Sequence, residues 1–174
     1  MAGKDFILFN LFSREKRRYK DFLPCNALLA VADGYLVPME KVPDEVFSQK
    51  ILGDGVAIQI SSQTICSPAN GMIDTLAPHA FGLVLPNKIE VMVHIGVDTV
   101  SMGGKGFKVL AAEKSQVKQG DPVIRVDKDF LENKGFNLIT MVVVTDARDF
   151  QFRYSAEGTV QAGKSVLATY EKCV

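Results

Sequence analysis

The chain has no tryptophan, only two histidines and only three cysteines. Cys25, Cys66 and Cys173 are odd in number and widely scattered, which argues against a disulfide framework or a CxxC metal site and favours a reducing, cytoplasmic compartment. Neither sign of charge is in excess. Lys+Arg and Asp+Glu stand at 20 each, so no global field draws the protein to nucleic acid or acidic lipid, and no nucleic-acid partner is expected. No stretch approaches the roughly 18 consecutive apolar residues that a membrane span requires. Apolar residues as a class are plentiful: at 47% of 174 residues they are enough to close one core, which excludes a disordered chain.

The first 23 residues differ in character from the rest. "DFILFNLF" is strongly apolar, and "SREKRRYK" then sets five basic residues against one acid. The charges follow the apolar run and no small-residue cleavage site appears, so this is not a secretory signal. As a helix it places Phe6 with Phe9 and Leu8 with Phe12, with the basic cluster near its end. That is the pattern of a tail lying in the membrane surface at the inner face; a tail packed on the protein or left disordered is the alternative.

From residue 24 to 174 the chain reads as one β domain. "ALLAVADGYLVPM", "GVAIQI", "FGLVL", "IEVMVHIGV", "PVIRVD", "LITMVVVT" and "SVLATY" are strand-length, rich in Val, Ile or Leu, and bounded by turn signals such as "DG", "GDG", "GGKG" and "QGD". Only "PDEVFSQKI" and "DKDFLENKG" offer a turn or two of helix. The expected class is all-β, an antiparallel sandwich or partly closed barrel. "ADGYL", "ANGMI" and "AEGTV" repeat the order Ala, polar residue, Gly, any residue, aliphatic, which points to an architecture built by duplication.

Both histidines sit in apolar contexts, His94 in "VMVHIGVDTV" and His79 in "LAPHAFGLVL". In a strand, Val91, Val93, Ile95 and Val97 share one face, while Met92, His94 and Gly96 share the other, less apolar one. The Gly96 carbonyl lies within reach of the His94 Nδ1–H, a bond that would fix the tautomer and leave Nε2 free. His79 would face His94 from a neighbouring strand. A lone histidine in such a run is more often a satisfied, half-buried residue, but two in matching contexts beside a glycine favour chemistry. Zinc hydrolysis lacks a third ligand and the His-x-His motif, and no GxSxG elbow is present. Phosphoryl transfer fits, because an imidazole near its ordinary pKa of roughly 6.5 is a competent nucleophile at neutral pH while a second imidazole holds the phosphoryl oxygens.

"VMVHIGVDTV" followed by "GGKGF", with "VPDEVFSQKILGDGVAI" and "SPANGMI" upstream and "VKQGDPVIRVD" downstream, resembles the glucose-family IIA component of the bacterial sugar phosphotransferase system. The resemblance implies an antiparallel β-sandwich with a duplicated hybrid motif and no cofactor or metal. It implies that His94 accepts a phosphoryl group on Nε2 from the phosphohistidine carrier protein HPr and donates it to a cysteine of a sugar-specific IIB domain. His79 matches the accessory histidine and Gly96 the residue whose carbonyl fixes the active ring. Asp44 and Asp98 match acidic residues that meet basic partner side chains, and Val46, Phe47 and Ile51 match the apolar rim that docks both partners. An initiating Met and a strand-like end fit a chain encoded apart from its partner domains.

The sequence departs from the family pattern beside the accessory histidine. Members carry Thr two residues before it, where a hydroxyl orients the ring; here Ala77 stands there, followed by Pro78, and the run from Gly71 to His79 is about two residues shorter. This keeps open a second reading, a regulatory module that binds protein targets through the same face and transfers little phosphate. A zinc peptidoglycan hydrolase is the third.

Overall fold

A computed structural model describes residues 26–174. The tail over 1–23 and its expected surface helix lie outside the described residues. The glycine-bounded apolar runs become strands β1 (Ala27–Leu29), β2 (Gly34–Pro38), β3 (Asp54–Ile60), β4 (Thr64–Cys66), β5 (Gly71–Ala77), β6 (Ala80–Val84), β7 (Glu90–Ile95), β8 (Phe107–Val109), β9 (Gln116–Val117), β10 (Pro122–Val126), β11 (Thr140–Asp146), β12 (Phe150–Tyr154), β13 (Gly158–Val160) and β14 (Val166–Lys172). Helices α1 (Glu45–Ser48) and α2 (Lys128–Asn133) fall within the two segments that carried helical character, and short 3-10 turns occupy Met39–Lys41 and Thr99–Met102.

All strand pairs are antiparallel. An eight-stranded sheet runs β13-β2-β3-β11-β7-β6-β5-β9, and two three-stranded sheets run β1-β14-β12 and β4-β10-β8. The fold is therefore all-β with an antiparallel layered core, as the alternating pattern implies. The main core collects one face of the large sheet, including Leu36, Ile58, Phe81, Val91, Val93, Ile95 and Val142, with Leu28 and Leu167 of one small sheet and Ile65 and Ile124 of the other. Burial of such side chains contributes about 1.5–3 kcal/mol each.

The opposite face of the large sheet is not bare. Val37, Ala57, Met141 and Val143, alternating with the inward residues of β2, β3 and β11, form a second apolar cluster. Met39 and Val42 beside the first 3-10 turn, and Phe47 from α1, cover it. Sequence parity makes this face the less apolar one on β7, but on the neighbouring β11 Met141 and Val143 make it apolar, and it needs that cover.

The duplication appears as two matching clasps. Gly34 pairs with Val160 while the Asp33 carboxylate accepts the Ala162 N–H at 2.8 Å. Gly71 pairs with Val117 while the Asn70 side-chain oxygen accepts the Gln119 N–H at 2.8 Å. Each clasp ends in a left-handed glycine, Gly163 or Gly120, and a Cβ added to Gly163 would lie 3.4 Å from the Gly120 Cα. The third repeat, "AEGTV", supplies β13, the strand that pairs with the first.

Candidate functional site

His94 stands on β7, where Val91, Val93 and Ile95 are at most 1% exposed on the core side and Met92 and His94 are half-buried on the other. Register sets it opposite Ala80 on β6 and Met141 on β11. Its Nδ1 lies 3.0 Å from the Gly96 carbonyl oxygen. A carbonyl only accepts, so Nδ1 carries the proton and the lone pair of the neutral ring is on Nε2. The sequence expectation places Gly96 within the strand; the structure places it one residue beyond β7, with φ +76°, and this turn brings its carbonyl back over the ring. Space also demands glycine. A Cβ there would lie 2.5 Å from Thr99 Cγ2 and 3.0 Å from the Asn137 carbonyl oxygen.

His79 is not in a neighbouring strand. Pro78 and His79 form the two-residue tip of the β5–β6 hairpin, which Ala77 and Ala80 close as a pair. The tip reaches His94 because the His79 carbonyl accepts the Ile95 N–H at 2.8 Å, extending the β6–β7 ladder into the turn. The two imidazoles meet edge to face, 5.2 Å between centroids at 72°. Phe47 lies on another side of His94, its ring centroid also 5.2 Å away and tilted by 51°.

Burial, and then repulsion from a charged His79, hold the His94 ring below the usual imidazole pKa; the Gly96 hydrogen bond and the Asp44 charge oppose this. Burial lowers His79 as well. Both effects favour neutral rings at pH 7, the nucleophilic form.

Asp44 caps α1, its carboxylate accepting the Val46 N–H at 2.8 Å, so a structural task and its charge near His94 coexist in one residue. Asp98 has φ +58° and leads the second 3-10 turn; it is exposed and makes no side-chain capping bond. Of the expected docking residues, Val46 and Ile51 are exposed at 41% and 66%. Phe47 differs, being 7% exposed, because its ring is spent covering the outer apolar cluster and flanking His94. Leu52 and Val100 are exposed apolar residues in the same two segments that sequence reasoning passed over. It also passed over Thr99, fully buried, whose hydroxyl donates to the Ile95 carbonyl and ties the turn back to β7. The signal available in the sequence is a small hydroxyl residue following Gly-Val-Asp in "GVDTV". Among the described residues, no group of three or more His, Cys, Asp or Glu side chains is placed to hold a metal ion.

Residues 26–150 match the family described as phosphoenolpyruvate-dependent sugar phosphotransferase system, EIIA 1. The chain belongs to this family. It is accordingly a sugar phosphotransferase component. The chain is 38% identical over 144 residues to a glucose-specific EIIA component from Buchnera aphidicola of Acyrthosiphon pisum, covering 82% of this chain and 89% of that one. It is 42% identical over 120 residues to a glucose-specific EIIBCA component of Corynebacterium glutamicum, covering 68% of this chain and 18% of that longer protein. In three dimensions it resembles the glucose permease IIA from Mycoplasma capricolum, with a TM-score of 0.78, 33% identity, and coverage of 82% of this chain and 93% of that one. The EIIA fold thus accounts for the all-β class and the layered sheets together.

Proposed function

We propose that the protein is a phosphocarrier that takes a phosphoryl group from phospho-HPr onto Nε2 of His94 and passes it to a cysteine of a sugar-specific IIB domain. The observation that carries this reading is the His94 Nδ1 bond to the Gly96 carbonyl, which leaves Nε2 as the free nucleophilic nitrogen on a half-buried ring. In the first transfer the Nε2 lone pair attacks phosphorus, the P–N bond to HPr breaks, and the HPr imidazole leaves with the electron pair. In the second, a IIB thiolate attacks phosphorus and His94 is the leaving group, neutral again with its proton still on Nδ1. Transfer of this kind rests on positioning and charge stabilisation. In this reading His79, its ring centroid 5.2 Å from that of His94, donates to a phosphoryl oxygen.

The EIIBCA relative supports a IIB partner, since there the A domain is joined to B and C domains in one chain. Exposed Val46, Ile51, Leu52 and Val100 provide apolar contact for partners, with Asp44 and Asp98 supplying negative charge for basic side chains. No helix among the described residues is long and apolar enough to cross a membrane. We place the protein in the cytoplasm, with residues 1–23 as a contact to the inner membrane surface.

Incubation with enzyme I, HPr and phosphoenolpyruvate, followed by mass measurement, tests this. The parent gains one acid-labile phosphoryl group and the His94→Ala variant gains none. Equal labelling of the variant would overturn the assignment, and no labelling of the parent would favour a regulatory module over a carrier.

A further inference from the structure

The hairpin tip that presents His79 is unusual in its turn chemistry. Two-residue hairpins favour type I′ or II′ turns, which need positive φ at the first central residue. Neither Pro78 nor His79 is among the positive-φ residues. Proline, fixed near −65°, suits the first central position of a type I turn, whose twist does not match that of the flanking strands. Something must therefore hold the tip in place. Ala77, at the end of β5, offers no hydroxyl to the His79 ring.

The Ile95 N–H bond to the His79 carbonyl holds one side of the tip, and a second support comes from the other side. Gly104, in the "GGKG" loop after the second 3-10 turn, faces the Pro78 ring so closely that a Cβ on it would lie 3.2 Å from Pro78 Cγ and 3.4 Å from Cβ. That loop is itself anchored. The Phe107 N–H donates to the Gly104 carbonyl at 3.1 Å, and the Asp127 N–H donates to the Gly106 carbonyl at 2.8 Å. A Cβ on Gly106 would stand 2.8 Å from the fully buried Leu131 of α2. The chain of contacts runs from the buried Leu131 of α2 through a glycine loop to the proline, and from there by one peptide bond to His79.

Resting on the phosphocarrier reading, we propose that Pro78 is the positioning residue for His79, its ring seated on Gly104 and its fixed φ holding the hairpin tip so that the accessory imidazole meets His94. Its function is to align the second imidazole during onward donation to IIB. Acceptance from HPr requires chiefly the free Nε2 of His94, which the Gly96 bond secures independently.

The test compares the full chain with Pro78→Ala, His79→Gln and the double variant. Thermal melts establish that each is folded. Imidazole titration followed by NMR needs no transfer partner. In Pro78→Ala the His79 pKa rises toward its ordinary value as the ring leaves its partly buried position, while His94 keeps its Nδ1 proton and tautomer. In transfer assays, acceptance by Pro78→Ala stays within about twofold, whereas donation to a purified IIB domain falls by about tenfold or more, within the roughly 100-fold that a misplacement of about 1 Å can cost. In the His79→Gln background Pro78→Ala brings no further loss.

An unchanged His79 titration in Pro78→Ala would overturn the proposal. So would donation equal to the parent's, or a Pro78→Ala loss that persists in full without His79. A parent that accepts no phosphoryl group defeats the phosphocarrier reading instead, and the titration still decides whether Pro78 sets the ring.

Discussion

Replacing Gly96 by alanine tests whether the backbone beyond β7 places the reactive nitrogen. The residue has φ +76°, where an L side chain costs about 1–2 kcal/mol. Its Cβ would lie 2.5 Å from Thr99 Cγ2, 3.0 Å from the Asn137 carbonyl oxygen and 3.3 Å from Leu138 Cδ2. Thr99 has little room to yield, being fully buried and bonded to the Ile95 carbonyl, so overpacking adds about 1–3 kcal/mol. The sum is roughly 2–5 kcal/mol, and at about 2–4 °C per kcal/mol for a chain of this size the midpoint drops by roughly 4–20 °C. Because relief requires the turn to move, the carbonyl leaves Nδ1, the ring loses its fixed tautomer, and phosphoryl acceptance slows even well below the melting temperature. The assay pairs thermal denaturation with single-turnover labelling by phospho-HPr. In a His94→Ala background Gly96→Ala should cost the same stability, since strain and crowding, not the imidazole bond, produce it. A variant that melts within a degree of the parent and accepts phosphate at the same rate would refute the account of both the turn and the tautomer.

His94→Ala abolishes acceptance yet keeps a cooperative melt, because Val91, Val93 and Ile95 carry the core face of β7; retained mass gain after incubation with phospho-HPr would contradict it. Asp44→Ala removes a helix cap worth about 1 kcal/mol. It also removes a charge that raises the His94 pKa, so the acidic limb of the acceptance profile moves to lower pH; a shift toward higher pH would show the sign to be wrong. Both histidines titrate below their unfolded value near 6.5, so they disfavour the fold increasingly as pH falls through that value toward their lowered folded ones. Urea midpoints between pH 7 and 5 should fall less in a His79→Gln variant than in the parent. Asp98→Asn keeps a residue tolerant of left-handed backbone but removes the charge, and should weaken association with HPr more at low salt than at high; a salt-independent loss would point to altered structure. Thr99→Val leaves the Ile95 carbonyl without its hydroxyl donor and should cost about 1–3 kcal/mol by chemical denaturation, against none if that bond is dispensable.

What the sequence discloses is what depends on period and local stereochemistry. Alternation in "VMVHIGV" specifies which side chains of β7 enter the core, and the pairing of the Gly96 carbonyl with Nδ1 is legible from proximity in sequence, but the left-handed turn at Gly96 that makes it is not. Long-range cover escapes such reading. Phe47 looks like a rim residue until the α1 segment folds over the outer faces of β2, β3 and β11, where Met141 and Val143 demand an apolar lid. His79 reads as a strand residue because its neighbours are apolar, yet Pro78 ends the strand and makes a hairpin tip. "ALLAVADGYLVPM" reads as one long strand, but its Asp-Gly breaks it into β1 and β2, which join different sheets. The aromatic alternation Phe150, Phe152, Tyr154 marks β12, although the polar Gln151 and Arg153 between them keep its mean hydropathy low and mask the strand.

The two clasps are chemically alike but span unequal lengths of chain. One joins Asn70 to Gln119 across 49 residues and encloses both histidines; the other joins Asp33 to Ala162 across 129. Loop-closure entropy then favours the inner one by about 0.9 kcal/mol, taking 1.5RT times the logarithm of the length ratio. The order of events follows from this difference. The half that encloses both histidines closes first during folding, and the clasp that joins β2 to β13 closes last and loosens first. Amide exchange should therefore be faster at Ala162 than at Gln119 in the native protein, and the reverse order would show that the seam between the chain's ends is the sturdier one. A protein with this order of closure tolerates loosening of its outer clasp without releasing the imidazoles from register.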